Sequence, residues 1–279
     1  MKDQLIDTFG RVHRDLRISV TDRCNFRCQY CMPEEGMEWT PREELLTFEE
    51  IERLASLLVN KFGIESIRLT GGEPTVRANL SKLIEKLAKL NVDLSLTTNG
   101  ATLPLIAGEL YDAGLDRINI SLDTLDRKRF ESLTRRDNLK QVLHGIETAK
   151  SVGFDPVKIN MVVMKGVNDD EVLDFVSYGR ENGLVVRFIE FMPLDADETW
   201  EKSKVMPQNE ILELISSKYD LEPLSRGSSP AARWKFVDGP GEIGIIATVS
   251  EAFCDACDRI RLTADGKFRN CLFAIQEYD

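Results

Sequence analysis

The chain has no run of apolar residues approaching the roughly 20 needed to cross a bilayer. Its first residues, MKDQLIDTFGRVHRDL, lack the apolar stretch of a secretory signal. A cytoplasmic location is therefore expected, and a reducing compartment disfavours structural disulfides. Histidine is scarce: His13 and His144 are the only two, and neither has the spacing of a metal-ligand set. Basic residues are in deficit, 36 Lys and Arg against 47 Asp and Glu for a formal charge of −11. That balance argues against nucleic acid as a partner, because such binding draws on a basic face. A small anion held in a local arginine cluster stays open. No low-complexity tract or repeat breaks the text.

What is present is an ordinary soluble composition, 42% hydrophobic and 30% charged over 279 residues, enough for one large domain or a large and a small one. Strand-like and helix-like segments alternate. LRISVT (Leu16–Thr21) reads as a strand leading into a cysteine-rich loop. TFEEIERLASLLVNKFG opens on a capping box, Thr47 with Glu50, and stops at Gly63, with Ile51, Leu54, Ala55 and Leu58 on one face. Further strands are expected at Ser66–Thr70, Val92–Thr98, Arg117–Asp123, Val157–Met164 and Leu184–Met192. Helices are expected over about 78–90, 103–113, 126–134, 138–152, 169–182 and 208–218.

Strand–helix units in series imply a parallel sheet with right-handed crossovers that curl it toward a barrel. The fold class is α/β, an incomplete (β/α)6 TIM-like barrel. Polar and glycine-rich features follow the strands: the cysteine loop, Gly71–Pro74, Asn99–Gly100, Ser121–Asp123 and Met192–Pro193. On a barrel that is the face where chemistry is built. From Asp195 to Val205 the text turns polar and irregular, and Ser225–Arg233 reads as a loop. Short strands in WKFVD, EIGIIATVS, RIRLT and KFRNCLF then suggest a small terminal region packed across the barrel mouth.

All six cysteines fall into two groups of three. Cys24, Cys28 and Cys31 form C-x3-C-x2-C. Cys254, Cys257 and Cys271 form C-x2-C-x13-C. Three thiolates are one short for structural zinc, which prefers four closed ligands. A 4Fe–4S cubane held by three cysteines leaves one iron open to a substrate or cofactor. Zinc completed by a remote ligand and buried inert thiols are the rival readings. Arg259 and Arg261 follow the second group in an alternating RIRL, both on one strand face, and could grip an anion through forked, charge-assisted bonds. The rival there is a solvated strand face.

C-x3-C-x2-C after a first strand, with GGEP after the second, resembles the radical S-adenosylmethionine superfamily. The resemblance implies that the open iron chelates S-adenosylmethionine and that an electron from the cluster cleaves a C–S bond to give a 5′-deoxyadenosyl radical. Within the superfamily, GRVHRDLRISVTDRCNFRCQYCMP, IRLTGGEPTVR, LTTNG, INISLD, VKINMVVMKGVND, RFIEFMP and FCDACDRIRLTADGKFRNCLF resemble, in that order, the GTP 3′,8-cyclase family. The match runs from about residue 4 to 276.

This implies a lyase acting on GTP in the first step of molybdenum cofactor biosynthesis, with two 4Fe–4S clusters and S-adenosyl-L-methionine as cofactors. Cys24, Cys28 and Cys31 would hold the first cluster, and Tyr30, Gly72, Ser121 and Met192 would contact S-adenosylmethionine. Cys254, Cys257 and Cys271 would hold a second cluster whose open iron binds guanine. Arg17, Arg68, Thr98, Lys158, Arg259 and Arg261 would contact GTP, with Arg187 a further candidate. Residues 1–222 would form the core barrel and 223–279 the second-cluster region. No catalytic residue is assigned beyond the clusters.

Implied partners are cyclic pyranopterin monophosphate synthase downstream, a flavodoxin or ferredoxin electron donor and, as in many family members, a second copy of the chain; nucleic acid and membrane are not expected. Family members continue further and end in a Gly-Gly tail, which this sequence does not contain. Two alternatives stand beside this reading: a peptide-maturing radical enzyme with an auxiliary cluster, and a tail-less nucleotide-binding protein without full turnover.

Overall fold

A computed structural model describes residues 3–33, 37–194, 200–227 and 229–279. The beginning of the expected polar stretch, 195–199, and position 228 of the expected loop lie outside the described residues.

The elements follow the expected alternation. In chain order they are β1 (Asp15–Ser19), α1 (Phe48–Phe62), β2 (Ser66–Thr70), α2 (Leu80–Ala88), β3 (Asp93–Thr98) and α3 (Leu103–Asp112). Next come β4 (Arg117–Ser121), α4 (Arg127–Thr134), α5 (Leu139–Val152), β5 (Lys158–Val163), α6 (Val172–Asn182), β6 (Val185–Glu190) and α7 (Gln208–Ser216). The remaining strands are β7 (Leu221–Leu224), β8 (Ala232–Phe236), β9 (Glu242–Ile246), β10 (Arg259–Leu262) and β11 (Phe268–Arg269). Helix α1 starts and stops where its chemistry dictates: Thr47 and Glu50 make a reciprocal capping box, and Gly63 takes the left-handed conformation at φ 74°.

Among the described residues the strands form one 11-stranded sheet in the order β11-β10-β1-β2-β3-β4-β5-β6-β9-β8-β7. Strands β1 to β6 are parallel and joined by helical crossovers, and β9 and β10 continue the parallel run at either edge. The sheet is an open TIM-like barrel. The expected terminal region across the barrel mouth joins the sheet itself: β7–β9 add to the β6 edge, while β10–β11 add to the β1 edge. Backbone hydrogen bonding explains this: each open edge of a curled sheet carries unpaired N–H and C=O groups that a following strand satisfies. β7 carries little strand signal, because LEPL is short and contains Pro223, which is tolerated only toward a sheet edge.

The two faces of the central strands differ in kind. Leu16, Ile18, Ile67, Leu69, Leu94, Leu96, Ile118, Ile120, Ile159, Met161 and Phe188 turn toward the helices and are fully buried. The alternate residues face the barrel interior, and most of them are polar. Register partners in a parallel sheet share a face. Arg17 is level with Arg68 on one side and Arg261 on the other, Asn119 is level with Lys158, and Asn160 is level with Arg187. An apolar shell thus makes the fold, and the inner face is left free for chemistry.

Candidate functional site

The first cysteine group lies on the loop after β1, and the GGEP turn after β2 holds that loop in place. Gly72 N–H donates to Thr21 O (2.9 Å) and Glu73 N–H to Arg23 O (2.8 Å). A Cβ on Gly71, whose φ is +149°, would sit 2.2 Å from Thr21 O. One on Gly72 would sit 2.3 Å from Asp22 O. Both glycines are therefore needed for the close backbone approach that precedes Cys24.

Glu73 is buried and ties the turn to the end of β3. It accepts from Thr75 N (3.0 Å), Thr75 Oγ1 (2.5 Å), Thr98 Oγ1 (2.7 Å) and Asn99 N (2.6 Å). Burial pushes its carboxyl pKa up, and those donors pull against that. Glu73→Ala should cost about 3 kcal/mol, because it leaves buried donors unpaired. Urea unfolding checks this, and a loss below about 1 kcal/mol would count against the hub.

Within the loop, Cys31 N–H and Met32 N–H both bond to Cys28 O (3.0 Å each). Burial raises the pKa of Cys24 and Cys31 and pushes Cys28 further up. The thiols also lie within electrostatic reach of one another. Tyr30 is fastened from across the barrel: its hydroxyl donates to Asp123 Oδ2 (2.5 Å), and Asp123 Oδ1 accepts from Val162 N (2.8 Å). The Tyr30 ring meets Phe191 edge-on at 6.5 Å. Burial raises Asp123 to about 6. Ser121 ends β4 on the interior face, level with Asn160.

The second group lies partly on the segment joining β9 to β10, which runs from one sheet edge to the other, and partly just after β11. Cys254, Cys257 and Cys271 line one cavity together with Met192, Thr248, Arg259 and Arg261. Arg259 Nε donates to Cys257 Sγ (3.2 Å), and Arg11 donates to Cys254 O (3.0 Å). Among the described residues no three His, Cys, Asp or Glu side chains gather closely enough to hold a single metal ion. A polynuclear cluster binds its thiolates to different irons, so its cysteines stand further apart than the ligands of one zinc ion. Three soft thiolates on a converging loop, with no histidine beside them, suit iron–sulfur ligation. His144 is exposed near Glu147 on α5, and buried His13 faces Asp7 at 3.4 Å.

Between the two groups stand cations on the barrel's inner face, Arg187 buried and the others half-buried. Arg17, Arg68, Arg187 and Arg261 are desolvated and repel one another, which holds Arg17 down to about 9 and the other three to about 10. Burial, with Arg187 and Arg117 nearby, holds Lys158 down to about 8. The nearest acid to Arg17 is Asp15, at 3.8 Å. Among the described residues, the Nε atoms of Arg17, Arg68 and Arg187 are buried without a hydrogen-bond partner. An uncompensated cluster of this kind is costly unless an anion completes it.

The structure brings together Arg17, Arg68, Lys158, Arg187, Arg259 and Arg261 from β1, β2, β5, β6 and β10. Thr98 does not join them. It is 2% exposed on the helix-facing side of β3, donating to Glu73 and accepting from Gly100 N. The interior position at that level is Thr97, opposite Asn119. Alternation counted forward from Ser95 leads to it. The sequence reading also passed over Asn119, which accepts from Arg187 Nη2, and the roles of Asp123, Glu73 and Glu190. The available signals were a polar residue in mid-strand for Asn119, and acids at or just after a strand end for the other three.

Comparison with known proteins gives a consistent answer. Residues 18–179 match the family described as Radical SAM superfamily, and 184–279 match Molybdenum Cofactor Synthesis C. A Streptomyces coelicolor protein named GTP 3′,8-cyclase is 49% identical over 280 residues, covering 99% of this chain and 82% of that protein. GTP 3′,8-cyclase 2 of Mycobacterium tuberculosis is 46% identical over 283 residues, covering 99% of this chain and 79% of its own length. Among solved structures, Streptococcus suis SuiB aligns with TM-score 0.68 at 16% identity, over 97% of this chain and 64% of SuiB. Methylornithine synthase aligns with TM-score 0.58 at 17% identity, over 75% of this chain and 64% of that one. At such identities these structures speak to the fold.

Proposed function

The chain belongs to the radical S-adenosylmethionine superfamily and, within it, to the GTP 3′,8-cyclase family, and from that premise we propose that it converts GTP to (8S)-3′,8-cyclo-7,8-dihydroguanosine 5′-triphosphate, the first step of molybdenum cofactor biosynthesis. The observation that carries this reading is the interior, acid-poor set of cations beside two cysteine groups, with the Nε atoms of Arg17, Arg68 and Arg187 buried and unpartnered among the described residues. A triphosphate supplies the missing negative charge, and guanidinium forks suit its oxygens. A peptide substrate offers no comparable charge, so the peptide-maturation reading is set aside.

In this reading Cys24, Cys28 and Cys31 hold the cluster and Cys254, Cys257 and Cys271 hold a second one. When bound, such a cluster would supply the electron that cleaves S-adenosylmethionine; hydrogen taken from C3′ of GTP would let C3′ bond to C8, and one further electron from a reduced donor with a proton would complete the dihydroguanine. The protein's own residues do the placing. The Gly71–Gly72 turn and Tyr30, fastened by Asp123, shape the S-adenosylmethionine side. Arg17, Arg68, Lys158, Arg187 and Arg261 fix the triphosphate, and Met192 stands at the second-cysteine cavity. Enclosure inside the barrel keeps water from the radical. The core test is anaerobic reconstitution followed by turnover with S-adenosylmethionine and GTP. Cleavage of S-adenosylmethionine with no cyclised nucleotide would sink the proposal.

Lys158 gives a pH prediction. Its pKa is about 8 in the free protein, and a bound triphosphate raises it. Between those two values the complex binds more protons than the free protein, so GTP affinity should fall as pH rises above about 8. Titration calorimetry near pH 8.5, in buffers of different ionisation enthalpy, should show net uptake by Lys158 of roughly three quarters of a proton per GTP. Proton release would contradict the assignment.

A further inference from the structure

We propose that Glu190 is a positioning residue for the substrate side of the reaction: it latches the segment carrying Cys254 and Cys257 to the end of β6. Glu190 is 0% exposed, on the helix-facing side of its strand with Val186 and Phe188, level with Val163. Packing alone would place an apolar residue there. Its carboxylate instead accepts from Gln208 N (2.8 Å) at the start of α7 and from Val249 N (2.7 Å) and Ser250 N (2.8 Å) after β9. Ser250 Oγ also donates to it. A buried acid fully engaged by donors from two distant segments is a specific joint, since losing it strands every donor at once.

What it joins is informative. The segment from β9 to β10 spans from one edge of the open sheet to the other. Its far end is held by the pairing of β10 with β1. Its near end is held by Glu190, through the residues directly after Thr248. Thr248 lines the cavity of the second cysteine group, and its hydroxyl is buried with no hydrogen-bond partner among the described residues. Glu190 therefore sets where that hydroxyl and Cys254 stand relative to the interior arginines. The inference rests on the reading of the second group as a GTP-binding cluster site.

The test uses the full chain, reconstituted anaerobically, as wild type, Glu190→Gln and Ser250→Ala. Each is also made with Cys24, Cys28 and Cys31 replaced by alanine, so that only the second group is loaded. GTP is titrated against the electron paramagnetic resonance spectrum of the second cluster, and S-adenosylmethionine cleavage is followed in the fully loaded proteins. Glu190→Gln should raise the GTP concentration needed for the spectral change by about 10-fold or more, and Ser250→Ala by about 3-fold. S-adenosylmethionine cleavage should stay within about 2-fold.

A lowered unfolding midpoint with an unaltered GTP titration would mean a merely structural role and overturn the proposal. If Glu190→Gln does not fold, the Ser250→Ala titration decides by the same criterion. A wild-type protein with no GTP-dependent second-cluster spectrum would remove the parent reading. A normal wild-type response with an unchanged Glu190→Gln response removes the latch alone.

Discussion

Replacing Arg17 with leucine is expected to weaken GTP binding by about 100-fold or more while leaving the ligand-free protein at least as stable as before. The two effects have opposite signs for one reason. Arg17 is desolvated and pressed by Arg68 and Arg259, with Asp15 as partial relief. Without an anion its charge is a cost, and leucine keeps most of the packing while removing that cost. Asp15 retains Arg68 as a neighbouring charge. With a triphosphate present, the same guanidinium makes desolvated, charge-assisted bonds. Thermal unfolding with and without GTP reads both effects: the shift produced by GTP should vanish while the baseline midpoint holds or rises. A baseline drop of several degrees with an intact GTP shift would place Arg17 in the scaffold.

Gly72→Ala should abolish loading of the first cluster and, with it, at least about 99% of S-adenosylmethionine cleavage. The added methyl would sit 2.3 Å from Asp22 O and 2.5 Å from Arg23 O, and both are backbone atoms that cannot swing aside. The strand-to-loop passage before Cys24 must move, and three cysteines converging on one cluster do not tolerate such a shift. Iron per chain should fall toward the content of the second group alone. Gly108→Ala is the control: nothing lies within 4 Å of its added carbon on α3, so it should stabilise the protein by about 0.5–1 kcal/mol. Normal iron in Gly72→Ala with weaker S-adenosylmethionine binding would instead make the glycine a ligand contact only.

Much of this protein could be read from its sequence because the signals are local. A capping box and a left-handed glycine bound α1, and period-2 and helical patterns alternate cleanly, so the strand–helix order of the core emerged with end errors of up to three residues. The cysteine spacings and the GGEP turn are likewise local. What stayed hidden depends on pairing between distant segments. The family resemblance implies that Thr98 contacts GTP, yet its register turns it toward the helices and Glu73. One residue of phase separates it from Thr97, and in a strand one residue is a change of face.

The sequence by itself determined the chain's class: a parallel α/β barrel, two groups of three thiols, and arginines spaced to share strand faces, all written in nearest-neighbour chemistry. Only the tertiary structure decided how those pieces meet. It placed β10 beside β1, so that Arg261 stands level with Arg17, and it attached β9 to β6, so that the second cysteine segment runs from one edge of the open sheet to the other. It also buried Glu73 and Glu190 at strand ends where each gathers several donors. The physical reason is that edge pairing and burial are collective: which open backbone groups meet, and which charges lose their water, is settled when the whole sheet curls.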